Sequence, residues 1–252
     1  MMLEGKHALV TGGGTGIGLG IARALAQAGA AVTITGRRAE KLQSAAEAST
    51  GLYPLVMDVT DEAAIRDGFA QAVAARGPIA IFIANAGIAE GRALAKTDLA
   101  FWRQILSTNL DGAFLTIREA LTSMNGLDWG RVIAVSSIAG LHGLKGAPAY
   151  TASKHGLTGL IRGLAVDYAG KAITFNALCP AYVNTDIIPR NIASIMARTG
   201  FSEEKAREIM VGANPHGRLI EVEEVAEAAL WLCSPGSGSV NGQAIEIAGG
   251  TF

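Results

Sequence analysis

The chain has 252 residues, half of them hydrophobic and 17% charged, with a net charge of −1 at neutral pH. That length suits one large α/β domain or two small ones, and the composition excludes a disordered chain. The near-zero net charge gives no electrostatic case for binding nucleic acid or an anionic membrane.

Residues 7–10, His7-Ala8-Leu9-Val10, read as a strand. The turn Thr11-Gly12-Gly13-Gly14-Thr15-Gly16-Ile17-Gly18 follows, then a helix that Gly29 ends. Gly12, Gly16 and Gly18 are spaced GxxxGxG, which differs from the GxGxxG dinucleotide fingerprint. Such a turn between a first strand and a first helix brings backbone close to a pyrophosphate, with the helix N-terminus facing its charge. Gly12, Thr15, Gly16, Ile17 and Gly18 are the candidate contacts. The next strand, 31–35, runs into Gly36-Arg37-Arg38, with no acid at its tip. NAD sites ordinarily place a carboxylate there for the adenosine ribose, whereas NADP is accommodated by an arginine. Arg37 is the candidate for a 2′-phosphate and Arg38 for adenine stacking or assistance; two solvated arginines at a helix start are the alternative. NADP is the preferred cofactor, with NAD as the other choice.

Residues 39–48 are helical in composition, and 53–57 read as a third strand that stops at Asp58. Thr60-Asp61-Glu62 opens a helix with capping chemistry. A fourth strand covers 79–84, a long helix 98–123, a fifth strand 131–136, and a sixth strand 173–178, with the helix carrying Tyr150 between the last two. This alternation, without linker-like composition or repeats, predicts one doubly wound, Rossmann-type α/β domain over residues 1–252. It should have about seven parallel strands and helices on both faces.

Tyr150 and Lys154 stand at i and i+4 on one helix face, and Ser137 follows the fifth strand, where open α/β sheets bind ligands. A phenol of pKa near 10 needs roughly 4 kcal/mol of anion stabilisation to reach neutrality, and an ammonium one turn away is a source for much of it. On its own the pair reads equally as an exposed helix pair; Ser137 and the glycine-rich turn favour chemistry. His142 falls in the following loop as a wall or recognition residue for substrate. Residues 186–216 form a long insertion with Ile187-Ile188, Ile192 and Ile195-Met196, expected to be a mobile substrate lid. Cys179 and Cys233 lie in apolar runs without metal spacing, so no disulfide framework and no metal are expected, and a reducing compartment is the default. With no signal-peptide core and no bilayer-length apolar run, a cytoplasmic protein is expected.

Taken together, these segments resemble the short-chain dehydrogenase/reductase family over nearly the whole chain. The matching pieces are Thr11-Gly12…Gly16-Ile17-Gly18, Asp58-Val59, Asn85-Ala86-Gly87, Asn109, Ser137, Tyr150…Lys154 and Pro180-Ala181-Tyr182-Val183-Asn184-Thr185, in the family's order. The resemblance implies that Tyr150 is the general acid/base, that Lys154 holds the nicotinamide ribose and stabilises the tyrosinate, and that Ser137 orients the substrate oxygen. Asn109 would maintain a water-linked relay behind Lys154, with an internal helix polar group as the alternative. Asp58 and Val59 would contact adenine, although Asp58 also reads as a cap. Asn85, Ala86 and Gly87 would pack near the cofactor ribose. Pro180, Val183 and Thr185 would meet the nicotinamide end, with Val183 and Thr185 at the carboxamide. Tyr182 and Ile187 would join His142 on the substrate side.

The nearest branch is that of 3-ketoacyl-thioester and polyketide ketoreductases, a resemblance that includes the lid length and Asn214-Pro215-His216-Gly217-Arg218. Arg190, Arg198 and Lys205 would then meet an anionic carrier or coenzyme A. Dehydrogenases of small alcohols, sugars or hydroxy acids share these residues, and a dinucleotide-sensing binding protein is the reading from another class. The resemblance also implies a homotetramer, with helix 98–123 and the Tyr150 helix buried between subunits. Phe101, Leu106, Leu110, Phe114, Ile117 and Leu121 spread around the first of these, as two packing partners require. Two departures stand out: Ala181 where the family has glycine after the proline, and Ala248 where it usually has aspartate before two glycines.

Overall fold

The computed structural model describes residues 1–250, with the side chains of Ile187, Arg190, Asn191, Ser194 and Arg198 outside the described part. Seven parallel strands form one sheet in the order β3-β2-β1-β4-β5-β6-β7. They are β1 (His7–Thr11), β2 (Ala31–Gly36), β3 (Leu52–Val56), β4 (Ile79–Ala84), β5 (Gly130–Val135), β6 (Ile173–Pro180) and β7 (Ala244–Ile247). The helices are α1 (Gly16–Gln27), α2 (Ala39–Glu47), α3 (Glu62–Arg76), α4 (Leu99–Leu106), α5 (Gly112–Met124), α6 (Pro148–Asp167), α7 (Ile187–Thr199), α8 (Glu203–Gly212) and α9 (Val222–Leu232).

The central strand β4 is apolar and buried at every position because both sheet faces are covered there. Along β4, Ile81 and Ile83 enter a core with Ile21 and Leu25 of α1, Leu42 of α2, and Val225 and Ala229 of α9. The intervening Phe82 and Ala84 enter the opposite core with Ile65 and Phe69 of α3, Ile117 of α5, and Leu157 and Ile161 of α6. The period-2 alternation of a strand thus feeds two helix layers from one short run. Chain direction across the sheet reverses between β1 and β4, so the C-terminal ends of those strands frame a crevice, the usual ligand position in such folds.

Helix starts follow local chemistry. Asp61 Oδ1 accepts from Ala63 N and Ala64 N at the start of α3, and Asp98 accepts from Phe101 N at 2.7 Å to open α4. Gly29 takes φ +104° just past α1, where Leu3 N already bonds Ala28 O.

The expected continuous helix over 98–123 is not one helix. α4 and α5 are joined by a π-helical turn, Ser107–Asp111, that widens the ladder at Asn109. The cause lies in the segment after β4 and in α6. Asn109 is 1% exposed, its Oδ1 accepts from Ile88 N at 2.8 Å, and its Nδ2 donates to Ile88 O at 2.9 Å and Ser153 Oγ at 3.1 Å. Three hydrogen bonds from one buried amide hold the turn open. β7 and α9 complete the sheet edge and its covering layer. No helix among the described residues is long and apolar enough to cross a membrane.

Candidate active site

The glycine-rich turn is shaped by close approach. Gly12 and Gly16 take φ +64° and +54°, which L side chains adopt with strain. A β-carbon on Gly18 would overlap Asn85 Nδ2 and the Gly12 carbonyl oxygen. Asn85 stitches the turn to β4: its Nδ2 donates to Thr11 O at 2.9 Å and Gly12 O at 3.2 Å, while Asn85 N and Ala86 N both donate to Thr11 Oγ1. At Thr15, the α1 N-cap, no side-chain cap hydrogen bond forms and the first turn holds no acid. The first N–H groups of α1 are therefore free of helix partners and face an uncompensated positive dipole end.

These elements line a cavity of about 340 Å³ that runs from Arg37, Arg38 and Lys41 at one end, past the glycines, to Tyr150 and Lys154 at the other. Asp58, Val59, Asn85, Ala86 and Gly87 line it, as expected. Asp58 Oδ1 also accepts from Thr60 N and Thr60 Oγ1, so the capping role and the wall role coexist. The cavity is long, glycine-walled at its centre and cationic at one end, and it has a helix N-terminus along it. It suits an extended diphosphate-bridged dinucleotide.

A second cavity, of about 230 Å³, adjoins the first. Ile17, Ala89, Ser136, Tyr150 and Thr185 line both. Ser137, Pro180, Tyr182 and Val183 line the second alone. Its roof is the insertion, where Ile188 and Ile195 of α7 reach the cavity. Ile188, Ile192, Ala206, Met210 and Leu219 give the α7–α8 pair an apolar core of its own. Both ends of this insertion are tied by Asn214, 1% exposed, which bonds Tyr182 N and O and Arg218 O at 2.7–3.1 Å.

Ser137 caps a single 3₁₀ turn, its Oγ accepting from Ala139 N at 3.1 Å. Its hydroxyl also hydrogen-bonds the Tyr150 phenol, which lowers the phenol's pKa. Burial acts more strongly in the other direction, so the Tyr150 pKa stands above its ordinary value. Lys154 shares the helix face, with Nζ 5.8 Å from the Tyr150 ring centroid. Its ammonium donates to Val135 O at 2.9 Å. Burial brings its pKa down to about 8. The sequence reading makes the Lys154 ammonium a source for much of the tyrosinate's stabilisation; in the protein by itself, desolvation of the phenol is the largest influence and raises its pKa.

Asn109, Gly87 and Lys154 meet behind Tyr150. A β-carbon on Gly87 would lie 3.2 Å from Asn109 Oδ1 and 3.7 Å from Lys154 Nζ. The Asn109 side chain is held in place by its bonds to Ile88 and Ser153. His142 is exposed and lines neither cavity. The Ile187, Arg190 and Arg198 side chains lie outside the described residues. Lys205 pairs with Glu208 at 2.8 Å on the exposed face of α8.

The family model for short chain dehydrogenase matches residues 6–194. The chain belongs to the short-chain dehydrogenase family. It is 32% identical over 255 residues to the 3-oxoacyl-(acyl-carrier-protein) reductase FabG of Aquifex aeolicus, covering 99% of this chain and 98% of that one. It is 35% identical over 256 residues to the D-beta-hydroxybutyrate dehydrogenase of Cupriavidus necator, with 99% and 98% covered. Among solved structures it superposes on a variant of actinorhodin polyketide ketoreductase with NADPH at a TM-score of 0.94. The sequence identity there is 33%, with 97% and 96% covered. The protein is therefore an oxidoreductase on a Rossmann-like fold.

As a short-chain dehydrogenase it departs from the pattern at two points with small structural effect. Ala181 has no positive φ and its N–H bonds Ile247 O at 3.0 Å, so alanine fits the backbone beside the second cavity. Ala248 is buried at the end of β7, and the two glycines after it take φ +78° and +156°. A β-carbon on the first would overlap the His216 ring. Sequence reasoning missed Lys41, Leu42 and Thr108 on the first cavity and Ile138, Leu144, Lys145 and Ala147 on the second. Lys41 had a legible signal, a third cation one turn after Arg38.

Proposed function

We propose that this enzyme is an NADP-linked ketoreductase of the 3-oxoacyl type, interconverting a ketone and a secondary alcohol. The observation that carries the reading is that two cavities share one wall at Tyr150: one fits a dinucleotide, and the other is mostly apolar and admits a substrate beside the phenol. A nicotinamide bound in the first cavity supplies the hydride. The residues that would hold it are the α1 N-terminus and the Gly12, Gly16 and Gly18 backbone at the diphosphate, Asn85 to Gly87 at the ribose, and Thr185 near the carboxamide. Arg37, assisted by Arg38 and Lys41, would take the 2′-phosphate; their exposure keeps each contact modest in strength, and their number gives the preference over NAD.

Ser137 and Tyr150 place two hydroxyls on the carbonyl oxygen, and Tyr150 donates the proton that the nascent alkoxide needs. Burial serves this direction, because a phenol kept neutral is the competent acid for reduction. Lys154 stabilises the tyrosinate left behind, and the Asn109 π-turn keeps the backbone behind Lys154 in place for proton resupply. The 3-oxoacyl assignment draws on the named activities of the relatives and on a substrate cavity roofed by an apolar helix pair, read as a lid.

The enzyme is proposed to act in the cytoplasm as a homotetramer. Leu99 and Phe114 on α4 and α5 and Val166 on α6 are exposed, and nothing lies within 4 Å of the outer side of Gly159 and Gly163 on α6. A second subunit would cover this apolar, closely approachable face. Light scattering at micromolar concentration tests it, with a mass near one 25.9 kDa chain excluding the tetramer. For the activity, steady-state assays with NADPH and NADH across 3-oxoacyl thioesters, simple ketones, sugars and hydroxy acids should give the highest kcat/KM with NADPH and a 3-oxoacyl thioester. A cofactor-binding protein that turns over no carbonyl or alcohol would contradict the reading.

A further inference from the structure

The second cavity has an apolar wall, in which Ile138, Leu144, Ala147, Val183, Ile188 and Ile195 surround the approach to Tyr150. Two charged residues also line it among the described residues, Glu90 and Lys145. Glu90 has its counter-ion: its Oε1 lies 3.4 Å from the Arg92 guanidinium, which itself sits 3.8 Å from the Phe101 ring centroid. Lys145 has no such partner, since no described carboxylate lies within ion-pair distance of it and its ammonium makes no hydrogen bond to a described residue.

The backbone under Lys145 is built. Ala147 N donates to Leu144 O at 3.2 Å, closing a tight turn in which Gly146 takes φ +75°. Leu144 N donates to Thr151 Oγ1 at 3.2 Å, tying the turn to the residue after Tyr150. On the other side Gly91 packs so closely that a β-carbon there would lie 3.1 Å from Gly146 O. Lys145 therefore stands at a fixed place relative to the phenol. Lys145 lines the cavity and is exposed, and its charge rides on a flexible four-carbon stem.

Among the described residues, an apolar chamber with hydroxyls at one end and one cation without a counter-ion at its rim is complementary to a ketone that carries a negative group, either next to the carbonyl or on an attached carrier. We infer that Lys145 is the receptor for an anionic group on the substrate, a carboxylate or a phosphate, and that it selects anionic ketones over neutral ones. This rests on the ketone–alcohol reading and adds to it the residue that sets substrate charge.

The test is steady-state reduction with NADPH by the unmodified enzyme, Lys145→Met and Lys145→Arg, on 3-oxobutanoate, its methyl ester and its coenzyme A thioester. Met keeps the stem and the turn position and removes only the charge. It should raise KM by about tenfold or more for at least one of the two anionic substrates and leave the methyl ester unchanged. Arg should retain the wild-type KM within about threefold, since the charge is kept. A loss confined to the free acid assigns a carboxylate, and a loss confined to the thioester assigns a phosphate of the carrier. Equal changes on all three substrates, or no change on any, would overturn the role of Lys145 while leaving the reductase reading intact. Absence of turnover by the unmodified enzyme on all three would overturn the 3-oxoacyl assignment and, with it, the role of Lys145.

Discussion

The two cavities that meet at Tyr150 are made of different material. The first is walled at its centre by backbone: positive-φ glycines, the free N-terminus of α1, and an asparagine that pins the turn to the neighbouring strand. The second is walled by side chains from the loops after β4, β5 and β6 and from the α7–α8 insertion. Backbone-made sites tolerate no extra atom but recognise a group common to many ligands. Side-chain walls can be exchanged one residue at a time without disturbing the sheet beneath. Cofactor use is therefore set by the fold, and substrate choice by what the loops carry.

Substitutions can break this division or sharpen it. The largest effect is expected at Lys154, which serves both sides: Lys154→Met should lower kcat/KM by about 10³-fold or more and weaken NADPH binding as well. A change confined to one of the two would show that the lysine serves only that side. Gly18→Val adds atoms where Asn85 Nδ2 and Gly12 O already stand. It should weaken NADPH by about a hundredfold in calorimetry, consistent with roughly 1–3 kcal/mol of overpacking at a closed contact. Arg37→Asp removes a charge-assisted phosphate contact and adds repulsion, and should shift the NADPH-to-NADH affinity ratio by about tenfold toward NADH. An unchanged ratio would leave Arg37 a solvated surface residue.

The last effect concerns stability rather than binding or turnover. Lys154 titrates near 8 in the folded protein against 10.5 for an ordinary lysine. Between those values the unfolded chain binds more protons, so stability should rise with pH through that window. The cost of the buried charge is fully present below about pH 8 and gone above 10.5. Lys154→Met should therefore be more stable at pH 7 by about 2 kcal/mol, the charge-burial cost less the hydrogen bond lost at Val135. Its advantage should shrink as pH rises. Denaturant melts at pH 7 and pH 10 check the sign; a variant equally or less stable at pH 7 would show that the ammonium is not desolvated as described.

The same division explains what could be read from sequence. The first six strands announce themselves as mostly apolar runs, most plainly β4, which is buried on both faces and has no polar position to interrupt it. β7 is short, half-buried and at the sheet edge, and no run marks it. The break at Ser107–Asp111 left no local signal, since every residue there is compatible with an α-helix; the hydrogen bonds that open it come from Ile88 and Ser153, distant in sequence. The glycine spacing and Arg37 were legible because backbone sites depend on residues that only glycine or a guanidinium can replace. Lys145 and Leu144 were not legible, because their meaning depends on a cavity that tertiary folding assembles. The tyrosine–lysine pair was legible as a spacing, but not the balance by which burial outweighs the charge.

The most direct test takes Tyr150→Phe and measures two quantities on the same preparation: the NADPH dissociation constant by calorimetry and kcat on the best 3-oxoacyl substrate. Tyr150 is one of the residues that line both cavities, and in the proposed reaction it gives its proton to the ligand of the second alone. The expected result is an NADPH affinity within about threefold of the unmodified enzyme, with kcat lower by about 10³-fold or more. Near-wild-type turnover by Tyr150→Phe would contradict the assignment of the proton to this residue and, with it, the placement of the chemistry where the two cavities meet.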